Sequence, residues 1–123
     1  MLKTNRVATI CIHPPSVGLA AARDRFLEAW RTGECQGEYF GFESPAALFR
    51  IITPKRWELL AKLQQTGPVS VRALARELER DFRRVHDHVT AVIKISLVEK
   101  TAGRAVWVPF KEIRTSFVLR REF

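Results

Sequence analysis

The stretch Thr53–Pro109, TPKRWELLAKLQQTGPVSVRALARELERDFRRVHDHVTAVIKISLVEKTAGRAVWVP, decides how this chain is read. Apolar residues recur there at helical spacing in three successive segments. Thr53-Pro54 offers a cap followed by proline at the favoured first position, and Trp57, Leu60 and Leu63 form one stripe. Gly67-Pro68 ends that helix. Ser70 caps a second, with Val71, Leu74, Ala75 and Leu78 on its apolar face. Asp81 caps a third, whose apolar positions are Phe82, Val85, Val89, Val92 and Ile95. Only a few residues around Glu79 and Arg80 lie between the second helix and the third, the tight spacing of a helix-turn-helix. Ser96-Leu97-Val98 then leads into two apolar alternating runs flanking Ala102-Gly103, which predict a hairpin. Gly103 is expected to supply its positive φ. Val106, Val108 and Phe110 alternate in the returning strand.

Working outward, Arg6 to Ile12 is β-branched and apolar and predicts a strand. Either both its faces are covered or Thr9 and Cys11 lie on the thinner one. Ser16 is placed to cap a helix with Leu19, Ala22, Phe26, Leu27 and Trp30 on one face, stopped by Gly33. Glu38 to Glu43 predicts a second strand, with Gly41 as its expected bulge position. Ser44-Pro45 starts a short helix, Ala46 to Ile52. Beyond the hairpin, Glu112 to Leu119 alternates again, with Ile113, Thr115, Phe117 and Leu119 on one face. This last strand is expected to return to the N-terminal sheet. The fold class expected is α+β. A helix-helix-helix-hairpin order, that of a winged helix-turn-helix, forms the core at 53–110. A strand-helix-strand-helix element for dimerisation or partner binding precedes it at 1–52, and a C-terminal strand follows at 111–123.

A chain of 123 residues with 46% hydrophobic content is long enough to bury a core. Its net charge of +8 attracts polyanions, of which nucleic acid is the commonest soluble one. No apolar run approaches the ~20 residues that span a bilayer, so no membrane partner is expected. The N-terminal run superficially resembles a signal peptide, but His13 ends it early and it reads as a strand. Two cysteines, Cys11 and Cys35, are too few for a disulfide framework, which fits a cytoplasmic location.

The third helix carries Arg83, Arg84, Asp87, His88 and Thr90 off its apolar stripe. In a helix-turn-helix the second helix of the pair enters the major groove, where such side chains reach base edges. Lys55, Arg56, Ser70, Arg72 and Lys94 suit phosphates, several of them beside helix N-termini. At the hairpin tip, Lys100 and Arg104 are the expected wing contacts, Arg104 reaching a minor groove. His86 and His88 stand two apart on a helix and cannot chelate together. No zinc-type spacing, phosphate loop or nucleophile signature is present. No metal, no cofactor and no catalytic residue are expected, and the chain does not read as an enzyme.

The run GPVSVRALARELERDFRRVHDHVTAVIKISLVEK, residues 67–100, resembles winged-helix regulators of the MarR/ArsR-like kind. More closely, Thr53 to Ile113 is similar to a group of short DNA-binding regulators of antitoxin-like character. Arg80-Asp81-Phe82 with Val85-His86 and the closing Val108-Pro109-Phe110 are the distinguishing pieces. Ser96 stands where such proteins usually carry glycine, so the helix end must tolerate serine in a turn suited to glycine. His88 stands among positions that vary, so base preference does not carry over. The resemblance implies a transcription regulator acting on double-stranded DNA, a repressor by expectation. An antitoxin that binds a cognate toxin and represses its own operon is the alternative, and a non-specific nucleic-acid-binding module is the third reading. Phe26, Trp30, Tyr39, Phe40, Phe42 and Phe49 exceed what the short N-terminal element can bury alone, and Ile113, Phe117 and Leu119 add another apolar face, which predicts a homodimer on an inverted repeat, or a partner protein on the same surface.

Overall fold

The computed structural model of the chain describes residues 4–12, 24, 27, 28, 31, 32 and 37–117. They are α+β and fall into two compact units, Met1–Asn5 with Phe49–Lys111 and Arg6–Leu48 with Glu112–Phe123. The expected helix face at Leu19, Ala22, Phe26 and Trp30, its cap Ser16 and its stop Gly33 lie outside the described residues, as do His13, Cys35 and Leu119. Asp24, Leu27, Glu28 and Arg31 are described and helical, as expected there, but Leu27, expected on the apolar face, is 43% exposed.

The second of these units is built on a parallel sheet. Strand β1 (Val7–Ile12) is central, with β2 (Glu38–Phe42) on one side and β5 (Glu112–Thr115) on the other. Ala8 pairs with Glu38 and with Ile113, so the C-terminal strand does return to the N-terminal one. Ala8, Thr9 and Ile10 are all buried, as a central parallel strand covered on both faces requires. The β2 register runs unbroken through Gly41, so the expected bulge is absent. A Cβ at Gly41 would stand 2.8 Å from the Tyr39 hydroxyl, on whose side of the strand Gly41 lies, so a larger residue there would make the Tyr39 ring shift. The last strand stops at Thr115, short of the expected Leu119, and of its expected face Thr115 and Phe117 are exposed. Arg6 holds Glu38 across the strands through both carboxylate oxygens, at 2.8 and 2.7 Å. Those hydrogen bonds keep the Glu38 carboxyl below the usual carboxylate range.

Four helices follow the cap and proline signals of the sequence: α1 (Pro45–Ile51), α2 (Pro54–Thr66), α3 (Val71–Leu78) and α4 (Phe82–Lys94). Ser44, Ser70 and Asp81 accept hydrogen bonds from the backbone N–H groups of Ala47, Ala73 and Arg84 at 3.0, 3.1 and 3.2 Å. Thr53 occupies the expected cap position of α2, yet its side chain caps nothing. Its Oγ1 is buried without a hydrogen-bond partner, and the backbone carbonyl instead accepts from Arg56 and Trp57, at 2.9 Å each. The buried face of α2 is Leu59, Leu60 and Leu63, while Trp57 is only half-buried. On α3, Leu74 and Ala75 are buried. On α4 the stripe is Val85, Val89 and Val92, and each buried valine contributes about 1.5–3 kcal/mol. Phe82, expected in that stripe, is 38% exposed, and the Arg72 guanidinium lies 4.4 Å from the centre of its ring. Ile95 is half-buried.

An antiparallel hairpin, β3 (Glu99–Lys100) with β4 (Val106–Trp107), follows α4. Val69, just ahead of α3, bridges to Val106 through two backbone hydrogen bonds, a third strand position that the sequence pattern does not predict. The returning run Val106, Val108 and Phe110 is buried as expected, although only its first two residues are strand. Gly103 does not supply the positive φ of the tip; Arg104 does, at 68°. Gly103 N–H donates instead to the Thr101 hydroxyl at 3.3 Å, and Thr101 N–H to Ala105 O at 2.8 Å closes the turn.

Two helix ends use left-handed residues that are not glycine: Glu79 after α3 (φ 53°) and Ser96 after α4 (φ 70°). Arg80 N–H then reaches Ala75 O, and Leu97 N–H reaches Val92 O at 3.1 Å, the back-bonding that closes such ends. Ser96→Gly is expected to raise stability by about 1 kcal/mol, because it removes the left-handed penalty of a Cβ. Gly67→Ala, at φ 73° and ψ −162°, is expected to cost about 1–3 kcal/mol. Urea unfolding of the two variants checks both signs, and a loss of stability on Ser96→Gly would contradict the first.

Candidate functional site

Successive residues of an α-helix are turned by roughly 100°. Burying Val85, Val89 and Val92 therefore fixes which side chains of α4 face out. Arg83, Asp87, Thr90 and Lys94 fall opposite the stripe and are exposed, with Arg84 exposed beside them. His86 lies on the same flank as Thr90, one turn before it, and is also exposed; the Thr90 hydroxyl donates to His86 O at 2.9 Å. His88 falls on the other flank, half-buried against the N-terminal end of α2.

A groove of about 410 Å³ runs between α4 and the hairpin. Its apolar lining is Val71, Val89, Ile93 and Val106, and its polar lining is His86, Thr90, Lys94, Lys100 and Arg104. The cations of the helix and of the hairpin thus border one cleft. Of the residues expected from sequence, Thr90, Lys94, Lys100 and Arg104 come together here. His86 is not among the expected contacts and belongs with them. The signal that finds it is its spacing, four residues before Thr90 and eight before Lys94, which lines the three up along the helix.

Arg56 and His88, both expected to contact nucleic acid, are engaged with each other. Arg56 Nε donates to His88 Nδ1 at 3.0 Å, and Arg56 Nη1 donates to Ile51 O at 2.6 Å. With Nδ1 accepting, the neutral ring carries its proton on Nε2. Arg80 is likewise held: it donates to Lys55 O at 3.2 Å and pairs with Glu58, tying the turn before α4 to the start of α2. Lys62 and Glu77, 3.6 Å apart, link α2 to α3. Lys55 and Arg72 are exposed, and Ser70, also exposed, is engaged as the cap of α3. Arg72, Arg76 and Arg80 surround Phe82 in a second, broader depression of about 520 Å³. Among the expected dimer residues, Tyr39 and Phe40 are half-buried, Phe117 is exposed, and Phe26 and Trp30 are outside the described residues.

The HVO_A0114 family model matches residues 51–115, more than half of the chain, from the end of α1 through α2, α3, α4 and the hairpin to β5. The chain belongs to the HVO_A0114 family. The family match takes in every residue that lines the groove. No curated protein and no solved structure matches the chain. Among the described residues no group of three or more metal-ligating side chains occurs, and no helix is long and apolar enough to cross a membrane.

Burial pushes the His88 imidazole below its ordinary value, and the positive charges of Arg56, Arg80 and Lys55 push it further, against a small opposing pull from Asp87. In the unfolded chain the ring titrates near 6.5. As pH falls below that value the unfolded state takes up a proton that the native state resists, so stability declines until pH passes the lower native value. Above about 6.5 the contribution of His88 is fully present. His88→Asn, whose Oδ1 accepts where Nδ1 did, is expected to flatten this part of the profile. Thermal melts from pH 8 to pH 5 check it, and an unchanged slope in the variant would contradict the assignment.

Proposed function

We propose that the chain is a winged helix-turn-helix, sequence-specific DNA-binding transcriptional regulator that acts as a homodimeric repressor on an inverted repeat. The observation that carries this reading is the single groove that α4 and the hairpin border with Lys94, Lys100, Arg104, His86 and Thr90. The element order supports it: α2, then α3 and α4 joined through the short turn at Glu79-Arg80, then the two-stranded hairpin. In this arrangement α4 lies in the major groove with its N-terminal half nearest the bases, and the hairpin tip follows the flanking backbone into the minor groove. Arg83 is the guanine reader, since its guanidinium can bond O6 and N7 together. Asp87, Thr90 and His86 reach neighbouring base edges, and Arg84 works from the margin. Lys94, Lys100, Lys55 and Arg72 neutralise phosphates. Arg56 and His88 hold α4 against α2 and contribute through its angle.

The homodimer is part of the same reading. One short helix distinguishes few base pairs, and two copies about a two-fold axis present two such helices to one side of the duplex. Selection from randomised duplexes, followed by anisotropy on the enriched sequence, tests the proposal. The expected result is an inverted repeat with half-sites about 10 base pairs apart or a multiple of that. Affinity should fall with salt at a log–log slope near −4 to −5, as for about 5 neutralised phosphates. Arg83→Ala is expected to cost about 1–3 kcal/mol on that site and to relax the choice of base. No enrichment with a flat salt dependence would overturn the reading.

Arg104 offers a sharper version. Its φ of 68° costs stability that a glycine would not incur. Arg104→Gly is therefore expected to melt at or above the temperature of the parent chain, yet to bind duplex more weakly on all sequences, with the salt slope reduced by about 1. Unchanged affinity would remove the hairpin from the contact surface.

A further inference from the structure

Strand β5 pairs with β1 and with no other described strand, so it is an edge of the described sheet. An edge strand presents a row of backbone donors and acceptors to which another strand can add. Around this edge the sequence reads Lys111-Glu112-Ile113-Arg114-Thr115, with opposite charges one step either side of Ile113. Glu112 and Arg114 share one strand face, and each side chain is about half exposed, at 52% and 48%. Their own contact is loose, Arg114 Nε standing 3.9 Å from a Glu112 carboxylate oxygen. Ile113 lies on the opposite face.

We propose that the homodimer forms through this edge, β5 running antiparallel to the partner's β5 about a two-fold axis at Ile113. The proposal rests on the homodimer of the preceding section and adds the surface that makes it. In this register Ile113 faces the partner's Ile113, Glu112 faces the partner's Arg114, and Arg114 faces the partner's Glu112. Cross-strand pairs of opposite charge stabilise such a ladder and like charges oppose it. The register selects itself. Moving the axis one residue toward the N-terminus sets Glu112 against the partner's Glu112, and one residue the other way sets Arg114 against the partner's Arg114. The other edge has no such symmetry. Strand β2 carries one charged side chain, Glu38, which Arg6 already holds through both oxygens. Pairing through β5 joins two three-stranded sheets into one continuous sheet.

The test is sedimentation equilibrium of the full chain without DNA, for the parent, Glu112→Arg, Arg114→Glu, an equimolar mixture of the two variants, and the double exchange Glu112→Arg with Arg114→Glu. Circular dichroism establishes that each is folded. The parent should be a dimer. Each single variant should dissociate about tenfold more readily or beyond, because both cross-strand pairs become like-charged. The mixture should form a heterodimer, since one variant then carries only positive charge at positions 112 and 114 and the other only negative. The double exchange should restore the homodimer. A parent that stays monomeric, a dimer indifferent to every change, or losses that neither mixing nor the double exchange recovers would overturn the proposal. Duplex binding is measured separately, so the two readings fail separately. A monomer that binds DNA overturns the β5 pairing, and a charge-sensitive dimer that ignores DNA overturns the regulator while leaving the pairing in place.

Discussion

The rotation of α4 about its own axis is the constraint on which the rest of the Phe49–Lys111 unit depends. Val85, Val89 and Val92 must leave water, and once they do the helix has one orientation. That orientation sends Arg83, Asp87, Thr90 and Lys94 to solvent and turns His88 toward α2. Two polar devices then fix the entry of the helix. Asp81 caps its first turn, and Arg80, one residue earlier, reaches back to Lys55 O and Glu58 at the start of α2. Arg56 answers from α2 by donating to His88. These bonds are individually modest, about 0.5–1.5 kcal/mol each, and the apolar stripe supplies most of the stability. What they add is angle: a helix anchored at its start and along its His88 flank presents its outer face in one direction.

The sheet is governed by a different requirement. A parallel strand cannot be paired by a tight turn, and β5 joins β1 only after the whole helical segment has been made. That pairing brings the first and last described strands of the chain together, with a large loop-closure cost before any ladder hydrogen bond forms. Burial of Ala8, Thr9 and Ile10 on a strand covered from both sides is what repays it. The same topology leaves β2 and β5 as the edges of the described sheet, and only one of them carries charges in a self-complementary order.

Much of the fold was legible in sequence because it is written in local chemistry. Ser70 and Asp81 announced helices by capping, Gly67-Pro68 announced a stop, and the valine spacing of α4 marked its buried face. Ser96, standing where glycine is usual, does take the left-handed conformation. The misses are places where a tertiary neighbour decides. Phe82 has helical spacing for the core but lies at the first turn, where Arg72 covers its ring instead. Trp57 is only half-buried because the buried face of α2 centres on Leu59, Leu60 and Leu63, and Trp57 stands roughly a third of a turn away from its middle. Thr53 has the residue type of a cap without the side-chain bond. At the hairpin tip, glycine is the residue type that suits positive φ, whereas the Thr101 hydroxyl holds Gly103 and the left-handed position falls on Arg104. The candidate site was legible as a set of basic residues on the third helix and the hairpin. The exchange of His88 for His86 was not, since it needs the azimuth of each residue and the position of Arg56.

Backbone amide shifts of the isotopically labelled chain, followed while a duplex carrying the selected site is added, test the central claim most directly. The account predicts that the largest changes cluster on Arg83, His86, Asp87, Thr90 and Lys94 of α4 and on Lys100 to Arg104 of the hairpin, with β2 unmoved. Changes concentrated on the sheet, or none at saturating duplex, would contradict it.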